Sequence, residues 1–242
     1  MAFVHGKNSK VYVTTIDLSA YFNSAEFQTS ADVSETTAFG KSAKTYKAGL
    51  REGNATLSGF WDGGTDASDE ELVGALGSST NKVVALGIDG VDTGDKVKFF
   101  DGFATNYGIS SPVGDMVAVS ADFVADDGMY NGDILYNGAF TATGAVGAAL
   151  DNSASSDGGV GAFLICTSVS GTSPTADIKI QHSADNVTYV DLITFTQVTA
   201  ATSEFKTVAS GTTINRYIKL YNTIGGSSTP TINAFVGFAR LG

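Results

Sequence analysis

The feature that most constrains how this chain folds is the shortness of its apolar runs. They are β-branched or aromatic, they alternate with polar residues, and Gly, Asn and Asp interrupt them before a helical period can develop. In the first half these runs are KVYVT (10–14), NATLSGFW (54–61), KVVALGI (82–88), DKVKFF (95–100) and MVAVSADF (116–123). In the last of these, Val117, Val119, Ala121 and Phe123 fall on one side, as in a strand with one buried face. GIDGVDTGDK, between two of the runs, reads as a hairpin turn. The second half continues with VGAFLICTSV, ADIKIQHS, TYVDLITFTQV, SEFKTVA, TINRYIKLYN and TPTINAFVGFAR, separated by SGTSP, ADN, ASG and IGGSS. With 29 Gly and only 3 Pro in 242 residues, the expected class is all-β, and the second half suggests a sandwich or jelly roll of six short strands.

One helix is expected. Ser68 would cap it, Glu71 would reach back to complete a capping box, Leu72, Val73 and Leu76 would form its apolar stripe, and Gly77 would end it. GAFTATGAVGAALDNSASSDGGVG (138–161) is small and flexible and reads as a linker or weak edge element. It divides the chain into an expected first domain, 1–139, and an expected second domain, 140–242, without a clear repeat between them.

Charge separates the two parts as well. Residues 1–139 hold 9 Lys and Arg against 19 Asp and Glu, a net of −10, whereas 140–242 hold 5 against 6. An acidic surface serves solubility, and it also suits a protein that must let DNA slide past, because each cation paired to a phosphate adds affinity and friction. The start of the chain has no apolar core behind a basic end, and no run of eighteen apolar residues occurs, so neither a secretory signal nor a membrane-spanning helix is expected.

Signatures of chemistry are sparse. His5 and His182 are far apart in sequence, and HExxH, GxSxG, GxxxxGK[ST] and GxGxxG are all missing. Cys166, the only cysteine, reads as a buried, inert thiol. Asp89, Asp92 and Asp95 lack the alternation and closing Glu of a calcium loop and read as turn residues, as do Asp126 and Asp127. No catalytic residue, cofactor or metal is expected. Tyr189, Tyr217 and Tyr221 would suit a glycan-binding surface, but strand aromatics are more often core.

Residues 34–53, SETTAFGKSAKTYKAGLREG, remain unexplained by any core. They carry Lys41, Lys44, Lys47 and Arg51, and almost nothing before Leu50 is large and apolar. A segment of this length inside a compact chain is functional or disordered. Thr37, Phe39, Lys41, Lys44, Tyr46, Lys47, Leu50 and Arg51 are therefore candidates for an intermolecular contact. Asp66, Asp69, Glu70 and Glu71 offer an acidic counterpart for a head-to-tail association, although a helix N-terminus favours acids without further purpose.

The order of DLSAYFNS, ETTAFG, KAGL and ISSPVGDMV over about residues 1–135 resembles the major tail tube protein of long-tailed bacteriophages. That resemblance implies a β-sandwich with one flanking helix, and a long inter-strand arm reaching the neighbouring ring. It also implies rings of sixfold or pseudo-sixfold symmetry stacked into a tube, contacts with other phage tail proteins, a place in the virion after assembly in the host cytoplasm, and DNA passing through the lumen. The second domain would then decorate the tube or form a second tube-like unit. The alternative from the residues themselves is a carbohydrate-binding or capsid-decorating β-sandwich.

Overall fold

A computed structural model describes residues 4–241. The described residues contain thirteen strands and one α-helix: β1 Lys10–Val13, β2 Ile16–Asp17, β3 Phe22–Glu35, β4 Tyr46–Phe60, α1 Ser68–Ala75, β5 Lys82–Gly87, β6 Lys96–Ser110, β7 Ala118–Ala125, β8 Tyr130–Phe140, β9 Gly144–Asp151, β10 Val160–Ser183, β11 Val190–Thr194, β12 Thr202–Val208 and β13 Tyr217–Arg240. The paired strands are antiparallel, as the all-β reading requires.

Two compact units result, and they are interleaved along the chain. One comprises residues 1–20, 83–99 and 130–242; the other comprises 21–82 and 100–129. The division therefore differs from the expected boundary at residue 139, which falls inside β8. That strand continues to Phe140, pairing Ala139 with Asn233 and Phe140 with Ile232 of β13. Chain position misled here because backbone pairing between distant strands, not linker composition, decides which segments pack together.

In the first unit β10 and β13 are each 24 residues long and run side by side. They replace four of the six short strands expected. SGTSP and IGGSS do not end strands; they lie opposite each other, with Thr172 paired to Ser227 and Thr175 to Gly225 across register shifts. Both strands turn the corner there. Gly171 (φ 113°) and Gly226 (φ 108°) take conformations closed to most side chains, and a Cβ on Gly171 would stand 2.9 Å from Pro230 Cα.

The bend makes a sandwich from shared strands. Ala162, Leu164 and Cys166 before it and Ala176, Ile178 and Ile180 after it occupy one core with Ile218, Leu220, Ala234 and Val236. Phe163 and Ile165 point to the opposite face, into a second core with Tyr12, Val97, Phe99, Tyr130 and Phe235. VGAFLIC is thus an uninterrupted apolar run because both of its faces are covered. The sheet curls around the second core: Phe99 lies 4.7 Å from Phe163 and Tyr12 4.6 Å from Phe235, ring centre to ring centre. Cys166 is buried, its thiol pushed up by desolvation, as an inert core thiol should be.

β9, from the segment read as a linker or weak edge, pairs with β13 between Tyr217 and Asn222. No second α-helix occurs among the described residues.

The second unit is a sheet in the order β3, β4, β7, β6, with Phe100–Ser110 of β6 belonging to it. One face buries Ala55, Leu57, Val119, Ala121 and Phe123 with Leu72 and Ala75 of α1; the alternation expected for β7 is present from Val119 onward. Two expectations for α1 need correction. Its N-cap is Ala67, without a side-chain cap, while Ser68 is the first helical residue and buried. The Ser68 hydroxyl donates to Phe60 O at 3.0 Å and accepts from Asp62 N–H at 2.9 Å, tying the helix to the end of β4 instead of capping it. Val73 and Leu76 are exposed, because a helix of eight residues lying on a sheet buries only the line through Leu72 and Ala75.

Candidate assembly interface

The basic segment, which composition left as functional or disordered, belongs to a β-ribbon. β3 and β4 pair from Phe22 with Gly59 out to Glu35 with Tyr46. Thr36 N–H donates to Thr45 O at 2.7 Å, and Thr45 N–H to Thr37 Oγ1 at 3.0 Å, closing the ladder at the tip. Backbone pairing needs no apolar side chains, which is why a thinly hydrophobic sequence still forms strands here.

What the ribbon lacks is cover. Every residue from Gln28 to Glu52 is exposed, twenty-five in succession, and burial resumes only at Gly53. At about 3.3 Å per residue, the eight strand positions from Gln28 to Glu35 span roughly 26 Å. All eight expected contact residues, Thr37, Phe39, Lys41, Lys44, Tyr46, Lys47, Leu50 and Arg51, lie on this ribbon or its tip. Phe39 is fully exposed, Leu50 82% and Val33 65%. Lys44 Nζ reaches Glu35 Oε2 at 2.9 Å, and that ammonium holds the Glu35 carboxyl below its usual range. The pair lies in open solvent and adds little stability.

The four acids expected as counterpart sit around the start of α1. Asp66, at φ 57°, donates its N–H to Glu70 Oε2 at 2.9 Å, and the Tyr107 hydroxyl donates to Asp69. Asp66 and Glu70 are exposed, whereas Asp69 and Glu71 are half-buried. These acids thus complement the helix N-terminus within their own unit, and Asp66 and Glu70 keep carboxylate surface toward solvent.

The sheet also presents a polar face that sequence reading missed. Glu26 pairs with Thr56, Thr56 with Asp122, and Asp122 with Asn106, so the four form one row across β3, β4, β7 and β6. Thr56 Oγ1 donates to Asp122 Oδ1 at 2.8 Å and Asn106 Nδ2 to Asp122 Oδ2 at 3.0 Å. Ser24, Ser58 and Ser120 make the next row. Residues 22–28, 53–60, 100–110 and 118–125, the four strands outside the ribbon, contain no Lys or Arg. The signal was present in the strand sequences, but only register shows that these hydroxyls and acids share a face.

Neither a family model nor a curated protein matches the chain. Among solved structures it is similar to a chain in the tail of an empty gene transfer agent particle, at 9% identity and TM-score 0.42 over 52% of this chain and 97% of that one. It is similar to the tail tube of phage SPP1 at 9% identity and TM-score 0.43, over 53% and 78% of the two chains. It is also similar to the SPP1 Dit protein at 11% identity and TM-score 0.39, over 96% and 99%.

Proposed function

We propose that this chain is the repeating structural subunit of a phage tail tube, stacking as rings of sixfold or pseudo-sixfold symmetry around a channel for DNA. The observation that carries the reading is the ribbon of twenty-five consecutive exposed residues. A two-stranded ribbon without an apolar cover is marginal in water. Phe39, Tyr46 and Leu50 gain burial only against another molecule, at about 25 cal/mol per Å² of apolar surface removed from water. The resemblance of the same sequence phrases to tail tube proteins, which implies an inter-ring arm over about residues 34–53, supports this reading.

The polar sheet face supports the channel. Hydroxyls, amides and carboxylates without a cation give DNA no phosphate-pairing group, so passage meets little retention. Catalysis is not part of this reading; the activity is self-association, with other tail proteins as partners at the tube ends and the virion as its location.

Negative-stain microscopy of the purified chain at rising concentration checks it, with hollow rings or tubes as the expected result. Compact monomers at every concentration would contradict the reading, as would tight duplex DNA binding at low salt.

A further inference from the structure

The ribbon needs a receiving surface, and the sheet that carries it has one at its other end. β4 leaves the ribbon at Gly53 and reaches Phe60 seven residues later, roughly 23 Å along the strand. At that end the last residues of β4 and β6 and the first of β7 border a groove of about 470 Å³. It lies at the end of the polar face, where Ser58 and Ser120 line it; Phe60 and Met116, exposed at 43% and 65%, supply apolar surface, and Ile109, exposed at 52%, borders it from β6. Val113, fully exposed, and Trp61, at 40%, extend the apolar surface in the adjoining segments. Trp61 N–H donates to Val117 O at 3.0 Å, which holds the β4 exit against the segment leading into β7.

Charge selects the occupant. Residues 61–71, running from the groove into α1, hold Asp62, Asp66, Asp69, Glu70 and Glu71 and no base, and Asp115 lines the groove itself. The ribbon's tip, residues 36–51, holds Lys41, Lys44, Lys47 and Arg51 and no acid, while Asp32, Glu35 and Glu52 lie at its base, Glu35 paired with Lys44. A basic tip carrying Phe39 and a groove flanked by acids and edged by Phe60 and Met116 thus sit at opposite ends of one sheet.

We infer that the groove bordered by Phe60, Ile109 and Met116 receives the ribbon tip of a second copy of this chain, with Phe39 as the apolar anchor. This inference rests on the tail-tube reading and names the partner surface that the reading leaves open. Because finger and groove are different patches, the contact is heterologous: each copy that accepts a finger presents its own onward, and the series continues without closing. A desolvated apolar anchor within a charged rim is the arrangement that concentrates binding energy in a few residues.

A mixed-cysteine experiment tests it. Ala38→Cys, beside the retained Phe39, in one preparation and Met116→Cys in another place thiols on two exposed residues, while the native Cys166 is buried and stays silent. After mixing and assembly with oxidised glutathione, which takes up the two electrons of each new disulfide, a covalent pair should form only when both variants are present. Met116→Asp, which puts an unpaired carboxylate in the contact, should raise the concentration needed for assembly by at least ~10-fold. Tubes that form without the mixed disulfide, or at unchanged concentration with Met116→Asp, overturn the groove and leave the tail-tube reading standing. Failure of the unaltered chain to assemble overturns both.

Discussion

At the scale of single residues, His182 shows how burial sets a charge state. Its imidazole lies below the ordinary value near 6.5, first because burial disfavours the cation and then because the Arg240 guanidinium is close. Nδ1 accepts the Asn215 N–H at 3.1 Å, a role open only to an unprotonated nitrogen. Arg240 in turn donates to Ala154 O at 2.8 Å and to Asn215 O. A depressed histidine contributes stability that is complete above the unfolded value and is lost as pH falls from there through the lower folded value. Thermal midpoints should therefore show a loss between pH 7 and 5 that His182→Gln reduces; identical profiles for the two proteins would refute the role. A second loss should follow below about pH 3.8. Asp151 is held at about 2 by Arg216, and Asp185 at about 2 by the N–H groups of Thr188 and Val187. Nothing in IQHSADN announced this, because Asn215, which bonds His182, and Arg240, which opposes its charge, lie more than thirty residues further along the chain.

At the scale of elements, strand existence was legible and strand extent was not. The run of β7 could be read from the period-two placement of Val119, Ala121 and Phe123, which local sequence alone encodes. The merging of VGAFLICTSV with ADIKIQHS could not, since SGTSP resembles a turn and becomes a corner only because IGGSS faces it. The Ser68 cap failed for a related reason: its hydroxyl had a stronger claim from Phe60 O and Asp62 N–H than from the helix. The basic segment was legible as unsupported chain, but its pairing into a ribbon was not, because backbone ladders leave no compositional trace. Amide exchange separates the two kinds of strand. Residues 28–35 and 46–52 should exchange rapidly in the unassembled chain and become protected on assembly, whereas Ala162–Cys166 should stay slow in both. Protection of the ribbon equal to that of β10 before assembly would show that it is covered by its own molecule.

At the scale of the whole molecule, stability and association reside in different places. Phe99 is fully buried, packed on Phe163 and Tyr130, and Phe99→Ala should cost about 3–5 kcal/mol in denaturant unfolding. A loss under 1 kcal/mol would mean that the aromatic core is not a principal source of stability. The ribbon has no such core, so its removal should leave folding unchanged and remove only contacts between copies. Deletion of Thr37 to Lys47, followed by denaturant unfolding and electron microscopy at concentrations where the full chain assembles, separates these roles. The expected result is an unfolding midpoint close to that of the full chain with no tubes; tubes of normal length from the shortened chain would show that stacking does not run through the ribbon.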